Sequence, residues 1–563
     1  MTILDDVSKK TEENEFFNSM PEGYVKGKTK YVVVTGTVMS GLGKGIFASS
    51  LAKLFRLKGL RVASIKMEGY LNVDAGTLNP FRHGEVFVLD DGTETDMDLG
   101  TYERFLGFNL TRGNFLTNGQ LFSSILSRER KGGYLGRDVQ FIPHLTGEVK
   151  TRLRSLALQT RADVVFIEIG GTVGDLENSH YIESMRELQY EEGKKNVCHV
   201  ALTYVLNPKF LGEQKSKAAQ LGLRALMSCG IQPDIIACRC DVPVTNKVRQ
   251  KISIASNVPI DRVVSTHDVE SIYLIPKLLE KSRLDEQTID ILGIRDRVNC
   301  DYEARDKWEE YVNRTLIKKN REIIIGITGK YTSLRDSYAS IIKALEHAGT
   351  TRGVEVKIKW IDTTELSDVS EILAGVDGVI VPGAFGSRGS EGKINCIKHV
   401  RENKIPYLGL CYGFQMAIIE FSRNVCGLQD AHSTEINKEC AHPVIDILPE
   451  QKDIDSLGGN MRLGGHDVEI KEGSFANELY GSLLVRERFR HRWECNPTYI
   501  TQLEENGLIF SGKAPGREIM QILELPREIH PYFVGVQCHP EYLSKPLKPH
   551  PLYLGLLDAI LKK

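Results

Sequence analysis

The sequence predicts an α/β fold with two doubly wound, mostly parallel-sheet domains. Apolar, β-branched runs typical of buried strands alternate with helical patterns in two long series, and a charge-rich stretch with few core residues separates them. The chain has 563 residues, more than one hydrophobic core usually serves. We therefore predict four parts: an N-terminal extension (1–28), a first domain (29–294), a linker with some helix (295–320) and a second domain (321–563).

The composition argues against several classes of protein. Lys and Arg total 72 and Asp and Glu total 74, so the net charge of −2 gives no general attraction to nucleic acid or to a membrane. The first residues are polar and acidic, unlike a signal peptide, and no apolar stretch approaches a spanning length. The 11 cysteines follow no zinc-ligand spacing. We expect a cytoplasmic protein in a reducing compartment, with residues 1–28 as a mobile extension.

The first series opens with a strand, a glycine-rich turn and a helix. The strand run is 31–34, and the turn contains Gly36, Gly41, Gly43 and Gly45, with Lys44 among them. Such glycines let successive backbone N–H groups point at a phosphate chain at a helix N-terminus, and the lysine adds a cation. The turn is not a standard P-loop, because Val38 replaces a glycine and Gly45 replaces a hydroxyl that usually binds Mg²⁺. We predict a phosphate site with metal ligands from elsewhere, in preference to a turn that binds nothing.

Two carboxylates and a lysine in later elements can complete this site. Further strand runs lie at 61–65, 164–167, 200–206 and 235–238. Lys66 and Glu168 each end one of these runs, and ligands of open parallel sheets gather at the carboxyl ends of strands. Carboxylates there hold Mg²⁺ on ATP phosphates, and a lysine stabilises a transferring phosphoryl group. Taken alone, Asp98 is better explained as a solvated loop acid, and the basic residues Lys215, Lys217 and Arg224 as a solvated helix face.

Longer motifs in this half resemble the synthetase half of the CTP synthase family, a P-loop-like amidoligase domain. They are 34–36 (VTG), 43–46 (GKGI), 83–105 (HGEVFVLDDGTETDMDLGTYERF), 168–175 (EIGGTVGD) and 271–276 (SIYLIP). The resemblance covers nearly all of 30–293 and implies ATP-dependent amination of UTP, an essential lysine at Lys66, and Mg²⁺ on Asp98 and Glu168. It implies ATP contacts at Gly41, Leu42, Gly43, Lys44, Gly45, Ile46, Arg239, His267, Asp268 and Val269. It implies contacts to UTP, or to the inhibitor CTP, at Ser40, Asp175, Leu176, Glu177, Lys215, Lys217, Gln220 and Lys251.

The chain departs from that family pattern at three places. Residues 68–70 read Glu-Gly-Tyr where the family has Asp-Pro-Tyr, and Ala218 and Ala219 stand where it has Pro and Thr. Thr37 stands where the family has a second glycine. The proline and the hydroxyl that are lost at Ala218 and Ala219 are expected to affect UTP affinity or feedback inhibition. The lysines that face the phosphates are kept.

The second series contains a candidate nucleophile at a strand-to-helix turn. Strand runs lie at 322–326, 379–381 and 407–410, and Cys411 follows the last of them between two glycines. Flanking glycines permit a strained elbow, and a helix N-terminus favours the thiolate. His539 and Glu541 lie one residue apart after a later apolar run. A buried cysteine or a loop histidine alone would be unremarkable, but together they predict a Cys–His–Glu triad.

This half resembles the class I glutamine amidotransferase domain, in its CTP synthase form, over roughly 322–557. Residues 381–386 (VPGAFG) match the strand end that forms the oxyanion hole, and a lid-like loop with Arg388 follows. The resemblance implies glutamine contacts at Gly383, Ala384, Tyr412, Gln415, Glu435 and Arg492. Ala384 replaces a glycine, which would strain the loop if its φ were positive. Tyr412 and Phe414 replace Leu and Met, and we expect them to narrow the glutamine pocket.

Together the two resemblances imply a bifunctional ligase with UTP, ATP and glutamine as substrates and Mg²⁺ as cofactor. ATP would phosphorylate the 4-oxygen of UTP, and ammonia from glutamine would displace the phosphate. The family also implies a homotetramer that can form filaments, activation by GTP and inhibition by CTP. Two alternatives stay open. One is another ATP-dependent amidoligase acting on a carboxylate. The other is a non-catalytic regulatory or filament-forming homologue, supported only by Ala218, Ala219, Ala384 and Tyr412.

Overall fold

The computed structural model describes residues 20–134, 136–329, 335–364, 368–447 and 461–562. The chain forms two compact units. The first unit contains the described chain up to Thr77 together with Thr101–Val312. The second contains Leu78–Gly100 together with the described chain from Asn313 onward. Residues 1–19, which make up most of the predicted extension, lie outside the described residues.

The strands occur in both units. In chain order they are β1 (Lys30–Gly36), β2 (Val62–Glu68), β3 (Phe87–Val88), β4 (Glu94–Thr95), β5 (Phe115–Thr117), β6 (Val164–Ile169), β7 (Val197–Tyr204), β8 (Ile235–Cys240), β9 (Val263–His267), β10 (Glu322–Gly329), β11 (Glu355–Asp362), β12 (Gly378–Val381), β13 (Tyr407–Leu410), β14 (Ala431–Ser433), β15 (His442–Asp446), β16 (Arg462–Ile470), β17 (Leu484–His491), β18 (Glu494–Cys495), β19 (Ile509–Lys513), β20 (Met520–Glu524) and β21 (Phe533–Val536).

The α-helices, in chain order, are α1 (Lys44–Leu57), α2 (Pro80–His83), α3 (Met97–Leu106), α4 (Asn118–Arg130), α5 (Thr146–Thr160), α6 (Ser179–Glu192), α7 (Lys217–Ser228), α8 (Asn246–Ser256), α9 (Ile275–Lys281), α10 (Leu284–Leu292), α11 (Tyr302–Leu316), α12 (Ala339–Arg352), α13 (Val369–Ile372), α14 (Ser390–Glu402), α15 (Tyr412–Asn424), α16 (Phe475–Tyr480), α17 (Ile500–Glu505) and α18 (Pro551–Leu561). Within the described ranges, no helix is both long and apolar enough to traverse a lipid bilayer.

The first unit is built around a seven-stranded sheet with the order β5-β2-β6-β1-β7-β8-β9. All of its neighbouring strands run parallel. Every residue of β1 and β6 is buried, as expected for central strands covered by helices on both faces. The carboxyl ends of these strands meet at one edge, which carries the glycine-rich turn after β1, Lys66 in β2 and Glu168 in β6. The α/β prediction is confirmed for this unit.

Helix α11, within the predicted linker, packs on the first unit. Its residues Trp308, Tyr311 and Val312 are buried in a cluster with Leu57 and Tyr273. Some helix and few core residues are predicted between 295 and 320; α11 is that helix, and three of its residues join this core. The three buried residues have the i, i+3, i+4 spacing of a helix face, so a single apolar stripe in a charge-rich segment is enough to dock the helix.

The second unit contains a nine-stranded sheet with the order β11-β10-β12-β13-β21-β20-β19-β16-β17. Strands from β11 to β21 pair in parallel, and those from β21 to β17 pair antiparallel. The α/β class is confirmed, but half of this sheet is an antiparallel extension. The connections 514–519 and 525–532 are shorter than the roughly twelve residues that a parallel crossover needs, so β19, β20 and β21 form antiparallel neighbours.

Segment Leu78–Gly100 lies in the second unit, although the predicted first domain spans 29–294 without a break. Tyr542 donates a hydrogen bond from Oη to the carbonyl of Val86 at 2.8 Å. Arg490 Nε donates to Glu94 Oε1 at 2.7 Å. These partners are 456 and 396 residues apart in sequence, so no local pattern could have shown that this segment packs with the second unit.

The contact between Thr37 and Gly222 gives a first prediction. A Cβ added at Gly222 in α7 would lie 2.7 Å from Thr37 Cβ, and Thr37 is fully buried. We expect Gly222→Ala to lower the unfolding free energy by about 1–3 kcal/mol through overpacking. In a Thr37→Gly background the two closest contacts are gone and only Val38 Cγ2, at 3.3 Å, stays close, so the better helix propensity of alanine should make the same substitution nearly neutral or stabilising.

Chemical denaturation of the four chains of this double-mutant cycle measures the effect. A loss of stability from Gly222→Ala that is equal in both backgrounds would show that the contact with Thr37 is not its cause. Thr37 stands where the family that the first half resembles has a glycine. If Gly222→Ala destabilised the wild type but stabilised the Thr37→Gly variant, glycine at 222 would be the residue that makes room for the threonine side chain.

Candidate active sites

Cys411 lies at the turn between β13 and α15, with φ 49° and ψ −94°. A positive φ at a residue other than glycine costs about 1–3 kcal/mol and persists only where the surroundings hold it. The backbone N–H of Cys411 donates to the Val536 carbonyl at 2.7 Å. A Cβ at Gly413 would lie 2.2 Å from the Val381 carbonyl, so only glycine fits beside the nucleophile. The turn therefore has the strained geometry expected of a nucleophile elbow.

His539 lies beside this cysteine, and Glu541 contacts the imidazole of His539. Nδ1 of His539 is 2.7 Å from Glu541 Oε1. A Cβ at Gly383 would lie 2.8 Å from His539 Cε1 and 3.7 Å from Cys411 Cβ, so the imidazole and the cysteine flank the same glycine. Burial lowers the pKa of His539, but the negative charges of Glu541 and Cys411 outweigh burial and raise this pKa to about 10. Glu541 and Cys411 thus favour the protonated form of His539.

The raised pKa of His539 predicts a pH-dependent contribution to stability. A folded pKa of about 10 exceeds the ordinary value of 6.5, so the folded state binds the proton more tightly than the unfolded state. The contribution is fully present below pH 6.5 and is lost as the pH rises toward 10. We expect the unfolding free energy of the wild type, relative to His539→Gln, to fall over this range in chemical denaturation. A wild-type advantage that grows with pH would contradict the charge assignment.

The loop at 381–386, which contains the oxyanion-hole candidates Gly383 and Ala384, is anchored by two hydrogen bonds at Gly386. The backbone N–H of Gly386 donates to Glu435 Oε1 at 2.7 Å, and Tyr412 Oη donates to the Gly386 carbonyl at 2.9 Å. Gly386 has a φ of 76°, whereas Ala384 is not among the described residues with positive φ. Ala384 therefore causes no backbone strain, because the left-handed conformation occurs at Gly386 and not at residue 384. Phe414 is fully buried in the core.

The other two candidate glutamine-binding residues are Gln415 and Arg492. Gln415 Nε2 donates to the Trp493 carbonyl at 2.9 Å and to Gln537 Oε1 at 3.3 Å. Gln537 Nε2 in turn donates to Cys411 Sγ at 3.6 Å. The guanidinium of Arg492 lies over the Trp493 ring, and its buried Nε has no hydrogen-bond partner among the described residues. A buried unpaired donor of this kind can receive an anionic group of a ligand.

In the first unit, Lys66 and Glu168 form a buried ion pair. Lys66 Nζ is 2.7 Å from Glu168 Oε1 and 3.3 Å from Glu68 Oε1. Tyr102 Oη donates to the other carboxylate oxygen of Glu168. Glu68, the residue that departs from the family's aspartate, thus keeps a carboxylate beside the lysine. The lysine that the sequence places near phosphates is held between two acids.

The glycine-rich turn presents a helix N-terminus without a side-chain cap. Gly43 precedes α1 with a φ of 77°, and Gly41 has a φ of 75°. Val38 also has a positive φ, 76°, so a β-branched residue occupies a left-handed position here. Lys44 Nζ donates to the Gly171 carbonyl at 2.8 Å, which ties the turn to the loop after β6. The uncapped amides of the first helical turn suit an anion.

The remaining ATP candidates lie at the ends of β8 and β9. Arg239 pairs with Asp268 and donates to the Thr266 carbonyl at 3.2 Å. His267 Nδ1 is 3.5 Å from Ser265 Oγ. In the glycine-rich turn, Leu42 is buried and Ser40 is exposed.

Most of the UTP candidates are surface residues. Asn118 Nδ2 donates to the carbonyls of Gly69 and Glu177, at 2.7 Å and 2.9 Å, so residue 69 lies against residue 177. Gln220 Nε2 donates to Ser216 Oγ at 3.0 Å, and Lys215 pairs with Glu213. The exposed candidates are Asp175, Leu176, Glu177, Lys217 and Lys251. The structure brings Glu177 to the end of β2.

The candidate metal ligands are assigned to different units. Asp98 lies in the second unit, in the first turn of α3, and Glu168 lies in the first unit. Within the described chain, no group of three or more His, Cys, Asp or Glu side chains is arranged to hold a metal ion. Both oxygens of Glu168 already accept a hydrogen bond, but a carboxylate oxygen has a second lone pair. Its chemistry as an oxygen donor therefore still fits Mg²⁺.

Two side chains with contacts to these sites were missed in the sequence analysis. Gln537 precedes His539 by two residues, and this spacing was the only available signal for it. Tyr102 follows Asp98 by four residues in α3, so helical spacing could have placed both on one face. Neither side chain is charged at neutral pH, so neither is as conspicuous in the sequence as the acidic and basic candidates.

Comparisons with known proteins agree with both halves. A family model described as "CTP synthase N-terminus" matches residues 30–294, and one described as "Glutamine amidotransferase class-I" matches 333–559. A CTP synthase of Thermococcus gammatolerans is 50% identical over 94% of this chain and 98% of its own length. One of Thermococcus kodakarensis is 49% identical, over 95% and 99%.

The glutaminase domain of Trypanosoma brucei CTPS, solved with bound acivicin, is 37% identical, with a TM-score of 0.41. It covers 43% of this chain and 94% of its own. Because the two curated relatives match nearly the full length of both chains at about half identity, the similarity extends over both units and the segment that connects them. The chain belongs to the CTP synthase family.

Proposed function

We propose that this chain aminates UTP to CTP, with ATP as the phosphoryl donor and glutamine as the nitrogen source. The full-length similarity to curated CTP synthases is the observation that carries this proposal. The overall reaction consumes UTP, ATP, glutamine and water, and yields CTP, ADP, phosphate and glutamate. The reaction has two stages, the release of ammonia from glutamine and the use of ammonia to aminate UTP, and each stage is assigned to one of the two candidate active sites.

Ammonia release belongs to the second unit. Cys411 attacks the carboxamide carbon of glutamine, and the tetrahedral oxyanion is stabilised by backbone N–H groups around Gly383 and Ala384. His539, a cation beside the thiolate, gives its proton to the leaving ammonia and then activates the water that hydrolyses the glutamyl thioester. The contact of His539 with Glu541 supports this role, because it fixes which ring nitrogen faces the sulfur. Gln415, Glu435 and Arg492 would hold the glutamine, and the unpaired Nε of Arg492 suits its carboxylate.

Ammonia use belongs to the first unit. ATP phosphates would bind the uncapped helix N-terminus at residues 41–46, with the nucleoside near Arg239 and 267–269. Lys66 would stabilise the phosphoryl group as it moves to the 4-oxygen of UTP. UTP would contact Ser40, 175–177, Lys215, Lys217, Gln220 and Lys251. Ammonia then attacks C4 of the phosphorylated UTP, and phosphate leaves.

Several finer assignments belong to this proposal. Asp98 and Glu168 would hold Mg²⁺, which supplies charge neutralisation on the ATP phosphates when bound. GTP would activate the glutaminase half, and CTP would inhibit by sharing the UTP site. We further propose a cytoplasmic homotetramer that can form filaments. The family similarity supports these assignments, and each needs its own measurement.

The test is the conversion of UTP to CTP with ATP and Mg²⁺, run in parallel with glutamine and with ammonium. The ultraviolet change from uracil to cytosine follows the product directly. We expect CTP with both nitrogen sources. If CTP formed with ammonium only, the proposed glutaminase assignment would be wrong. If folded protein that binds ATP formed no CTP with either source, the whole proposal would be overturned.

A further inference from the structure

The carboxamide of Gln537 is buried next to the cysteine nucleophile. Gln537 follows β21, is fully buried, and its backbone N–H donates to the Gln521 carbonyl at 2.9 Å. Its side-chain Nε2 is 3.6 Å from Cys411 Sγ. A carboxamide has an oxygen that only accepts and an NH₂ group that only donates, so its hydrogen-bond partners distinguish its two orientations. The neighbours of Gln537 therefore determine which end of its amide faces the sulfur.

The hydrogen-bond chain allows one orientation of this amide. The Trp493 carbonyl can only accept, so the atom of Gln415 that lies 2.9 Å from it must be the NH₂ group. The same NH₂ group lies 3.3 Å from the Gln537 side chain, which must present its oxygen there. The NH₂ group of Gln537 is consequently left to face Cys411 Sγ. The Trp493 carbonyl and the amides of Gln415 and Gln537 thus form a hydrogen-bonded series that places an N–H donor next to Cys411 Sγ.

The two forms of Cys411 use different partners. A neutral thiol donates its proton, and the Arg490 carbonyl lies 3.6 Å from Sγ as the acceptor. A thiolate can only accept, so that carbonyl no longer offers a favourable contact. The NH₂ group of Gln537 then donates to the anion, and hydrogen bonds to charged groups are stronger than neutral ones. The contact with Gln537 therefore favours the reactive form.

We propose that Gln537 is a catalytic residue that donates a hydrogen bond to the Cys411 thiolate, stabilising it and fixing its direction of attack on the glutamine carboxamide. This inference rests on the proposed role of Cys411 as the glutaminase nucleophile. His539 supplies the proton transfers, and Gln537 supplies a donor that does not change its protonation state.

The test compares Gln537→Met with Gln521→Met. Methionine keeps the length of glutamine but has no N–H donor. Gln521 is the matched control, because it is equally buried on the neighbouring strand and its amide atoms have no hydrogen-bond partner among the described residues. The readout is the rate at which iodoacetamide alkylates Cys411, followed by peptide mass spectrometry from pH 6 to pH 10. This measurement needs no substrate turnover.

We expect Gln537→Met to move the alkylation profile of Cys411 to higher pH by about one unit, as loss of one charge-assisted hydrogen bond predicts. Glutamine-dependent kcat/KM should fall about tenfold or more, and ammonium-dependent CTP synthesis should stay at the wild-type rate. Gln521→Met should alter neither. Gln537→Leu serves as a second donor-free variant if the methionine variant does not fold.

Two results would overturn the inference. An unchanged alkylation profile in folded Gln537→Met would show that the amide does not stabilise the thiolate. An equal shift in Gln521→Met would assign the effect to general loosening of the sheet. Failure of the proposed function would look different: the wild type would hydrolyse no glutamine, while the alkylation profiles would still report on the contact between Gln537 and Cys411.

Discussion

Cys411→Ala is expected to abolish glutamine-dependent CTP formation while leaving ammonium-dependent CTP formation intact. The substitution removes the only atom that can form the glutamyl thioester in the proposed mechanism, and loss of a nucleophile lowers kcat by about four orders of magnitude or more. External ammonium bypasses this step. The ammonium-dependent rate should therefore stay within about twofold of wild type, as expected for a change outside the synthetase site. Parallel assays with the two nitrogen sources measure both effects.

A second cysteine provides the control for this experiment. Cys426 lies just after α15, is half-buried, and packs against the core cluster that contains Tyr412 and Phe414. Cys426→Ala should keep both activities. If Cys411→Ala lost ammonium-dependent synthesis while remaining folded, the proposed division between ammonia release and ammonia use would have to be abandoned.

Lys66→Met is expected to abolish CTP formation from either nitrogen source while glutamine hydrolysis continues. The variant removes the ammonium that lies 2.7 Å from Glu168 and is proposed to face the transferring phosphoryl group. Loss of one electrostatic contact to a transition state typically costs a factor of about 10²–10³ in rate. The ammonium-dependent assay isolates this effect, because it does not require the glutaminase half.

Stability must be separated from chemistry in this variant. Lys66→Met leaves Glu168 as a buried charge without its cation, which costs about 3–5 kcal/mol of unfolding free energy. Lys66→Met with Glu168→Gln should restore much of the stability but none of the activity.

Lys53→Met is a matched control, since Lys53 is another buried lysine. Its ammonium lies over the Trp308 ring, and burial lowers its pKa to about 7. Wild-type CTP synthesis in folded Lys66→Met would refute the assigned role.

The α/β class, the two series of elements and the candidate active-site residues could all be predicted from the sequence. These features depend on local patterns. The β-branched run before residue 36 and the glycines after it dictate a strand, a turn and a helix within about 30 residues. The elbow at Cys411 follows from the strand before it and the glycines beside it. The His-Pro-Glu run at 539–541 is equally local, since a single short turn brings Nδ1 of the histidine to the carboxylate.

The contacts between distant segments could not be predicted in this way and are visible only in the folded chain. The placement of Leu78–Gly100 in the second unit depends on contacts such as that of Arg490 with Glu94, and no periodicity encodes a partner 396 residues away. The contact of Gln537 with Cys411 also spans two strands of the sheet. Periodicity reports which face of an element is buried, whereas a hydrogen bond depends on the relative position of two backbones and the rotamers of two side chains. That information exists only once the chain has packed.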